Sequence, residues 1–318
     1  MVKVKRAQAW WPLLVLVLAL PLTTCVSVGL GSAGQRTAVS VTGDDAVTIA
    51  SFDFPESVLL AQIYARALEG KGFRIKRALD LGPRELVEPA LERGLVEFVP
   101  EYLGTALEFV DPGSHEASAN LETTRQKLAE ALRGRRIEVL ASAEAQDANA
   151  LAVTAQTSAA YKLRTISDLV PVARSFVLGG PPECPNRPLC LAGLRSRYGL
   201  RFKRFMPLDA SGPLTAAELA SRQIDVAVLF TTDGDIAAKG FVVLEDDRSL
   251  QPAENVTPVV REEVVARYGA RFTSAVDAVS ARLTTEALRE MNRVMSLGSK
   301  TPRRVALEWL RARGLPQG

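Results

Sequence analysis

The sequence predicts an α/β protein of two lobes joined by two strands. Three features predict it. Short β-rich apolar runs alternate with segments whose apolar residues recur at helical spacing. That alternation restarts near Asn149, and extended segments near 149–154 and 255–260 lie where the chain would leave and re-enter the first lobe. Hydrophobic residues are 47% and charged residues 24% of the chain, which suits packed globular lobes rather than a disordered or fibrous chain.

The elements follow in order. "AVTIASF" (Ala46 to Phe52) reads as a strand. Glu56 to Glu69 reads as a helix, with Leu60, Ile63, Tyr64, Ala67 and Leu68 on one face and Gly70 and Gly72 stopping it. "FRIKRAL" is a strand, "PRELVEPALERG" a helix with proline at its start and glycine at its end, and "LVEFV" a strand. Asn120 caps a helix running to about Arg133, and "IEVLA" follows as a strand. The second pass runs from "NALAVTA" (Asn149 to Ala155) through "RSFVLGG", "LAGLRSRYG", "RFKRFMPL", "TAAELASRQ" and "DVAVLF". "ENVTPVVR" is one more extended segment, and three or four helices close the chain from Glu262 to Arg313. Lobe 1 is therefore expected over 46–148 plus 255–318, and lobe 2 over 149–254. Two such lobes make a hinge that closes over a ligand.

The first residues read as an export signal. Lys3, Lys5 and Arg6 precede an apolar run from Trp10 to about Leu22, which is shorter than a spanning helix needs. "LTTC" (Leu22 to Cys25) looks like a lipobox, so residues 1–24 are expected to be removed and Cys25 to carry lipid. Its Thr24 stands where Gly, Ala or Ser is usual. Residues 25–45 are small and polar, as a flexible tether should be. The signal holds three of the 39 basic residues and no acidic ones, which leaves 36 of each sign and no basic surface for a nucleic acid.

Export also bears on "GGPPECPNRPLCLAGL" (Gly179 to Leu194). With Cys25 assigned to lipid, Cys184 and Cys190 remain as a pair in a compartment where disulfides persist. A zinc site wants four ligands, and His115 is the chain's one histidine. A thioredoxin-type redox pair would be spaced Cys-x-x-Cys, whereas five residues intervene here. A local disulfide holding one loop shape is the expectation, with an entropic gain on the order of 2–3 kcal/mol at most. Neither a Ser-x-x-Lys nor a Gly-x-Ser-x-Gly motif is present, and there is no dinucleotide or Walker fingerprint. No enzyme activity, metal or cofactor is therefore expected, and an exported, tethered, net-neutral two-lobed chain describes a solute receptor.

Particular phrases carry a resemblance. "FDFPESVLLAQIYARALEGKG" (Phe52 to Gly72), "VPEYLGTAL" (Val99 to Leu107), "AQDANALAVT" (Ala145 to Thr154), "TISDL" (Thr165 to Leu169), "IDVAVLFTTDG" (Ile224 to Gly234) and "VLEDD" (Val243 to Asp247) stand in this order. Together they resemble the osmoprotectant-type substrate-binding proteins of ABC transporters, which bind glycine betaine, choline, carnitine or proline betaine. The Pro-rich cysteine loop resembles a cysteine-containing branch of that family. The resemblance implies a type II periplasmic-binding-protein fold with two crossover strands, placed outside the cytoplasm on the outer face of the cell membrane. It also implies a monomer that passes a small-molecule ligand to an ABC permease with its ATPase.

The resemblance implies an aromatic cage too, since a quaternary ammonium has no N–H to donate and is held by π-faces and carboxylates. Tyr102 is the clearest cage residue, against the alternative of packing under a loop. Phe230, where relatives commonly carry tyrosine, is its expected counterpart across the cleft. Phe54 is a wall or a core residue. Thr105 donates a hydroxyl or caps a helix, and Asn149 faces the cleft or its own turn. Thr232 and Asp233 form a turn towards the cleft, and Asp209 is a ligand acceptor or a helix cap. The departures are substantial: Val99 and Leu103 replace an aromatic and a threonine, and Thr215, Ala216 and Ala217 stand where a second-lobe tyrosine is common. A four-tyrosine cage is unavailable, and Phe52, Phe54, Tyr102 and Phe230 would make a thinner one. The alternative ligand is an amino acid or other small polar zwitterion, whose ammonium would need Asp233, Asp209 or Glu101.

Overall fold

The computed structural model describes residues 45–318. The expected signal peptide, the lipidation site Cys25 and all but the last residue of the tether lie outside the described residues. The first pass of the chain gives β1 (Val47–Ala50), α1 (Pro55–Gly70), β2 (Ile75–Ala78), α2 (Arg84–Glu92), β3 (Phe98–Tyr102), α3 (Leu103–Val110), α4 (Leu121–Arg133) and β4 (Ile137–Val139). The second gives β5 (Asn149–Thr154), α5 (Ala155–Tyr161), β6 (Val177–Gly180), α6 (Leu191–Tyr198), β7 (Arg204–Pro207), α7 (Pro213–Ala220), β8 (Val226–Phe230), α8 (Gly234–Lys239) and β9 (Phe241–Leu244). The chain closes with β10 (Val256–Arg261), α9 (Glu262–Tyr268), α10 (Ala270–Ser280), α11 (Thr285–Ser296) and α12 (Pro302–Ala312).

Two five-stranded sheets result, in the orders β2-β1-β3-β10-β4 and β7-β6-β8-β5-β9. Each has three parallel strands, and in each the strand arriving from the other lobe pairs antiparallel with the third: β10 with β3, and β5 with β8. The two sheets thus share one plan although the sequence shows no repeat. The segments that cross between lobes meet in an antiparallel bridge, Gln146 to Asn255.

Helix α1 shows how the first core forms. Pro55 sits at its first position, where the missing N–H costs nothing. Leu59, Leu60, Ile63, Tyr64 and Leu68 are fully buried, each such side chain contributing roughly 1.5–3 kcal/mol. The Tyr64 ring packs on Phe98, and its hydroxyl lies 3.0 Å from that of Ser280 on α10. Asn120 caps α4 as its sequence suggested, accepting from Thr123 N–H at 2.9 Å.

Some elements differ from expectation. β3 runs through Pro100 rather than ending at Val99, because Pro100 lies opposite Pro258 of β10. The Pro258 carbonyl accepts from Leu140 N–H, so its backbone polar groups turn away from β3 and no ladder bond is lost there. Helices α3 and α8 and strand β9 were not anticipated. Among the described residues no helix is long and apolar enough to cross a membrane.

Candidate functional site

A cleft of about 810 Å³ is lined from both sheets. Its walls come from the carboxyl ends of strands, where parallel α/β sheets leave an open crevice. Phe52, Asp53 and Phe54 follow β1, Arg84 and Glu85 open α2, Tyr102 ends β3, and Phe230 ends β8. Thr105 and Glu108 come from α3, Asp147 and Glu254 from the two crossing segments, and the stretch from Pro181 to Cys190 closes one side.

The aromatic end centres on Phe54. Its ring centroid lies 5.0 Å from Phe230, 5.8 Å from Tyr102 and 5.9 Å from Phe52. Phe54 is held there as the extended residue before α1, with φ −140° and ψ 154°. It therefore bridges Tyr102 and Phe230, which had been expected to face each other directly across the cleft.

Beneath these rings lies a buried polar hub. Glu56, in the first turn of α1, accepts from Tyr102 Oη–H at 2.9 Å, from Thr232 Oγ1–H and from Asn292 Nδ2–H on α11. Asp147 accepts from Thr231 Oγ1–H at 3.1 Å and from Thr232 N–H at 3.0 Å. Burial raises the Glu56 carboxyl, and the hydrogen bonds only partly offset it. Burial, then the neighbouring Glu56 charge, holds Asp147 well above the usual carboxylate range.

A second polar group lies beside the rings. Arg84 donates to Glu101 through Nε at 2.9 Å and Nη2 at 2.7 Å, and its guanidinium carbon sits 5.0 Å from the Phe52 ring centre. Thr105 Oγ1 is 3.3 Å from Arg84 Nη2 and 3.2 Å from Glu254 Oε2. Glu254 also accepts from the N–H groups of Gly104 and Thr105, both at 3.1 Å, and burial pushes its carboxyl up to about 8. The glycine of the Tyr-x-Gly-Thr stretch is explained by this contact: a Cβ on Gly104 would lie 2.2 Å from Pro252 Cγ.

Cys184 and Cys190 are bonded to each other, as expected. Their loop reaches across the cleft, where Arg187 Nη2 donates to Glu85 Oε2 on α2 at 2.8 Å. Asn149 Nδ2 and Gln251 Nε2 both donate to the Leu189 carbonyl, at 3.2 and 3.0 Å, and so hold the loop's far side.

Of the residues singled out from sequence, Phe54, Tyr102, Thr105, Asn149 and Phe230 line the cleft. Three others do not, each for a physical reason. Asp209 caps α7, accepting from Leu214 N–H at 3.0 Å and Thr215 N–H at 2.8 Å. Asp233 caps α8, accepting from Asp235 N–H at 2.8 Å and from the Ser211 hydroxyl, and burial raises it to about 6. Thr232, 1% exposed, is enclosed in the Glu56 hub. The Glu101 carboxylate is committed to Arg84. Arg84, Asp147 and Glu254 were not singled out, and the cleft lining carries six carboxyl side chains against two guanidiniums; burial holds Asp147 and Glu254 towards the neutral form, and the remaining four still outnumber the guanidiniums, which favours cations. Among the described residues no group of three or more His, Cys, Asp or Glu side chains is placed to hold a metal ion.

Comparison with known proteins follows the same lines. The family model described as the substrate binding domain of ABC-type glycine betaine transport systems matches residues 45–312. A glycine-betaine-binding protein of Pseudomonas aeruginosa is 27% identical over 267 residues, covering 81% of this chain and 85% of its own. The glycine betaine-binding protein YehZ of Escherichia coli is 26% identical over 268 residues, covering 81% and 88%. A solved structure described as a glycine betaine/carnitine/choline ABC transporter superposes with a TM-score of 0.67 at 22% identity, covering 85% of this chain and 99% of that one, a likeness of fold.

Proposed function

The chain belongs to the family of substrate binding domains of ABC-type glycine betaine transport systems, and from that premise we propose that it captures a quaternary-ammonium compatible solute in the cleft between its lobes. It is a binding protein of an importer and not an enzyme. The observation that carries the ligand reading is the convergence of three rings from both lobes: Phe54 and Tyr102 from the first, Phe230 from the second, within 5.0 to 5.8 Å centroid to centroid. The rings touch one another, so a methylated ammonium rests against their cluster rather than between them, meeting π-faces with no N–H left unpaired, and the surplus of carboxylates along the walls favours its charge. The two relatives named above are called glycine-betaine-binding proteins, which points to the same class of solute.

In this reading Cys25 carries the lipid that holds the protein at the outer face of the cell membrane, and residues 25–45 are its tether. The monomer delivers its load to an ABC permease with its ATPase. Thr105 and Asn149 shape the cleft wall rather than the cage itself. Isothermal titration with glycine betaine, choline and carnitine tests the ligand class. Binding of at least one is expected, weakened by Phe230→Ala. Failure of all three to bind, together with tight binding of an amino acid that carries a free ammonium, overturns it. Mass spectrometry of the protein from its own membranes tests the anchor, which fails if Cys25 is unmodified.

A further inference from the structure

The even balance of charges over the whole chain conceals an uneven distribution in the second lobe. The cleft lies beyond the carboxyl ends of β6, β7 and β8, so their amino ends form the opposite pole of that lobe. Strand β5 runs antiparallel to β8, which puts α5 at the same pole. Contacts hold the loops of this pole together. Lys203 N–H donates to the Ala173 and Phe176 carbonyls at 3.2 and 2.9 Å, and the Tyr161 ring meets Phe176 edge-on at 5.0 Å. Arg222 Nη1 donates to Gln156 Oε1 on α5 at 3.1 Å. Six cations stand on these loops, all exposed: Lys162, Arg174, Arg201, Lys203, Arg204 and Arg222. The acids beside them in the chain, Glu218 and Asp225, are half-buried, and Asp225 is spent on Val177 N–H at 2.8 Å. Among the described residues none of the six is in an ion pair, whereas several surface arginines of the first lobe are, such as Arg125 with Glu122 and Arg293 with Glu290. Tyr161, 51% exposed, adds an apolar ring beside Lys162. None of the six cations lines the cleft.

We propose that this pole is a contact site for an anionic phospholipid surface, with the six cations at the phosphates and the Tyr161 ring at the depth of the headgroups. Clustered like charges repel one another, and an anionic surface relieves that repulsion. Guanidiniums bind phosphate oxygens through paired N–H groups. The exposed tyrosine favours a membrane over a dissolved polyanion, because a ring with one apolar and one polar end sits at the boundary between lipid and water. Each basic side chain close to an anionic membrane tightens attachment about fivefold. The attraction is screened beyond about 10 Å at 0.1 M salt. Attachment through the pole is therefore cumulative and salt-sensitive, unlike attachment through a covalent lipid on Cys25, which salt does not weaken. The contact is independent of the solute reading, since it lies at the far end of the lobe from the rings.

The test is co-sedimentation with vesicles of the chain from residue 25 onward carrying Cys25→Ser, which has no acyl chain there and attaches only through its own surface. The vesicles are pure phosphatidylcholine, or phosphatidylcholine with about one third phosphatidylglycerol. Binding to the phosphatidylglycerol vesicles alone is expected at low salt, with release as salt rises. Replacing Arg201, Lys203 and Arg204 together by alanine should weaken that binding about a hundredfold, three steps of about fivefold. The same number of charges removed from the first lobe, by Arg303→Ala, Arg311→Ala and Arg313→Ala, should weaken it less than about threefold. Melting temperatures show that each variant is folded. Tyr161→Ser should weaken vesicle binding and leave binding to soluble polyphosphate unchanged. No binding to phosphatidylglycerol vesicles at low salt, equal binding to both vesicles, or an equal loss from the two triple variants overturns the contact. If polyphosphate binds tightly and Tyr161→Ser changes neither measurement, the pole serves a dissolved polyanion and the membrane contact falls.

Discussion

Replacing Phe54 by leucine tests the aromatic end of the cleft with the fewest other changes. The ring touches Phe230, Tyr102 and Phe52 at 5.0, 5.8 and 5.9 Å, and leucine keeps apolar bulk there while removing the π-face. A cation against a ring gains roughly 0.5–1 kcal/mol when exposed and about 2 kcal/mol when desolvated. Phe54 is half-buried and one of three rings. Its share is therefore about 1 kcal/mol, or about fivefold in Kd. Leucine also loses ring–ring packing, worth about 0.5–1.5 kcal/mol for each pair in this distance range. That loss would lower the Tm of the free protein by about 2 °C per kcal/mol for a chain of this size. A cycle separates the two effects: choline and its uncharged isostere 3,3-dimethylbutan-1-ol, in which a quaternary carbon replaces the ammonium, are titrated into the parent and into Phe54→Leu. Choline should weaken about fivefold more than the alcohol, because only the ammonium is attracted to the π-face. Equal losses for both would refute the cation–π reading and leave Phe54 as an apolar wall.

Three further outcomes follow from the same structure. Burial raises Glu88 from an ordinary 4.5 to about 7, and its Oε1 has no hydrogen-bond partner. The native state therefore binds more protons than the unfolded chain between those values, so this group's stabilisation is complete below about pH 4.5 and is lost as pH rises through 7. Glu88→Gln should match the parent in acid and exceed it by up to roughly 3 kcal/mol above pH 8, seen as a Tm gain of about 6 °C that a melting series would read; a gain independent of pH would contradict this. Gly104→Ala should cost about 1–3 kcal/mol, because its Cβ meets Pro252 and the Ala253 carbonyl, and denaturant unfolding would show it. Reducing Cys184–Cys190 should remove roughly 2 kcal/mol of stability and also weaken ligand binding, since the freed loop carries the Arg187 contact to Glu85; unchanged affinity in dithiothreitol would leave the disulfide a purely local staple.

The legible parts of the chain were those where local chemistry decides. The Asn120 cap, the proline at the start of α2 and the alternation of strands and helices are written in adjacent residues. So was the disulfide, once the compartment was inferred. Strand β3 was legible only in part, because a proline in a strand ordinarily argues against it, and only its antiparallel partner shows why Pro100 is tolerated. The site was harder. Tyr102 and Phe230 end strands and Phe54 precedes α1, and all three were visible through the motifs that carry the family resemblance. Arg84 opens a helix in a run of charges and reads as a solvated residue. Glu254, in "QPAEN", reads as an exposed loop acid. Glu254 is buried because the returning segment lies against Gly104, 150 residues away in the chain, and Arg84 because its guanidinium closes onto Glu101 at the end of β3. Asp209 and Asp233 show the converse: an aspartate near a helix start has a cap to make, and these two make it.

In the proposed reading, the placement of the acids beside the bridge where the chain crosses between lobes ties binding to lobe movement. Gln146 and Asn255 pair where the chain crosses between lobes, and the cleft acids Asp147 and Glu254 are their immediate neighbours in sequence. Rotation at that bridge must reorient both carboxyls relative to the rings. Contacts between the lobes exist in the protein itself: Phe54 against Phe230, Glu56 with Thr232, and Glu85 with Arg187. The ion pair is partly exposed and contributes at most about 1 kcal/mol, whereas the ring pair and the buried hub are shielded from water and salt. An approach of the lobes therefore depends mainly on Phe54, Phe230 and Glu56. The apparent affinity for a ligand divides its intrinsic dissociation constant by the fraction of molecules already competent to bind. A substitution at Phe54 consequently acts twice, on the π-face and on that fraction. Choline and its uncharged isostere share the second effect, so their difference isolates the first.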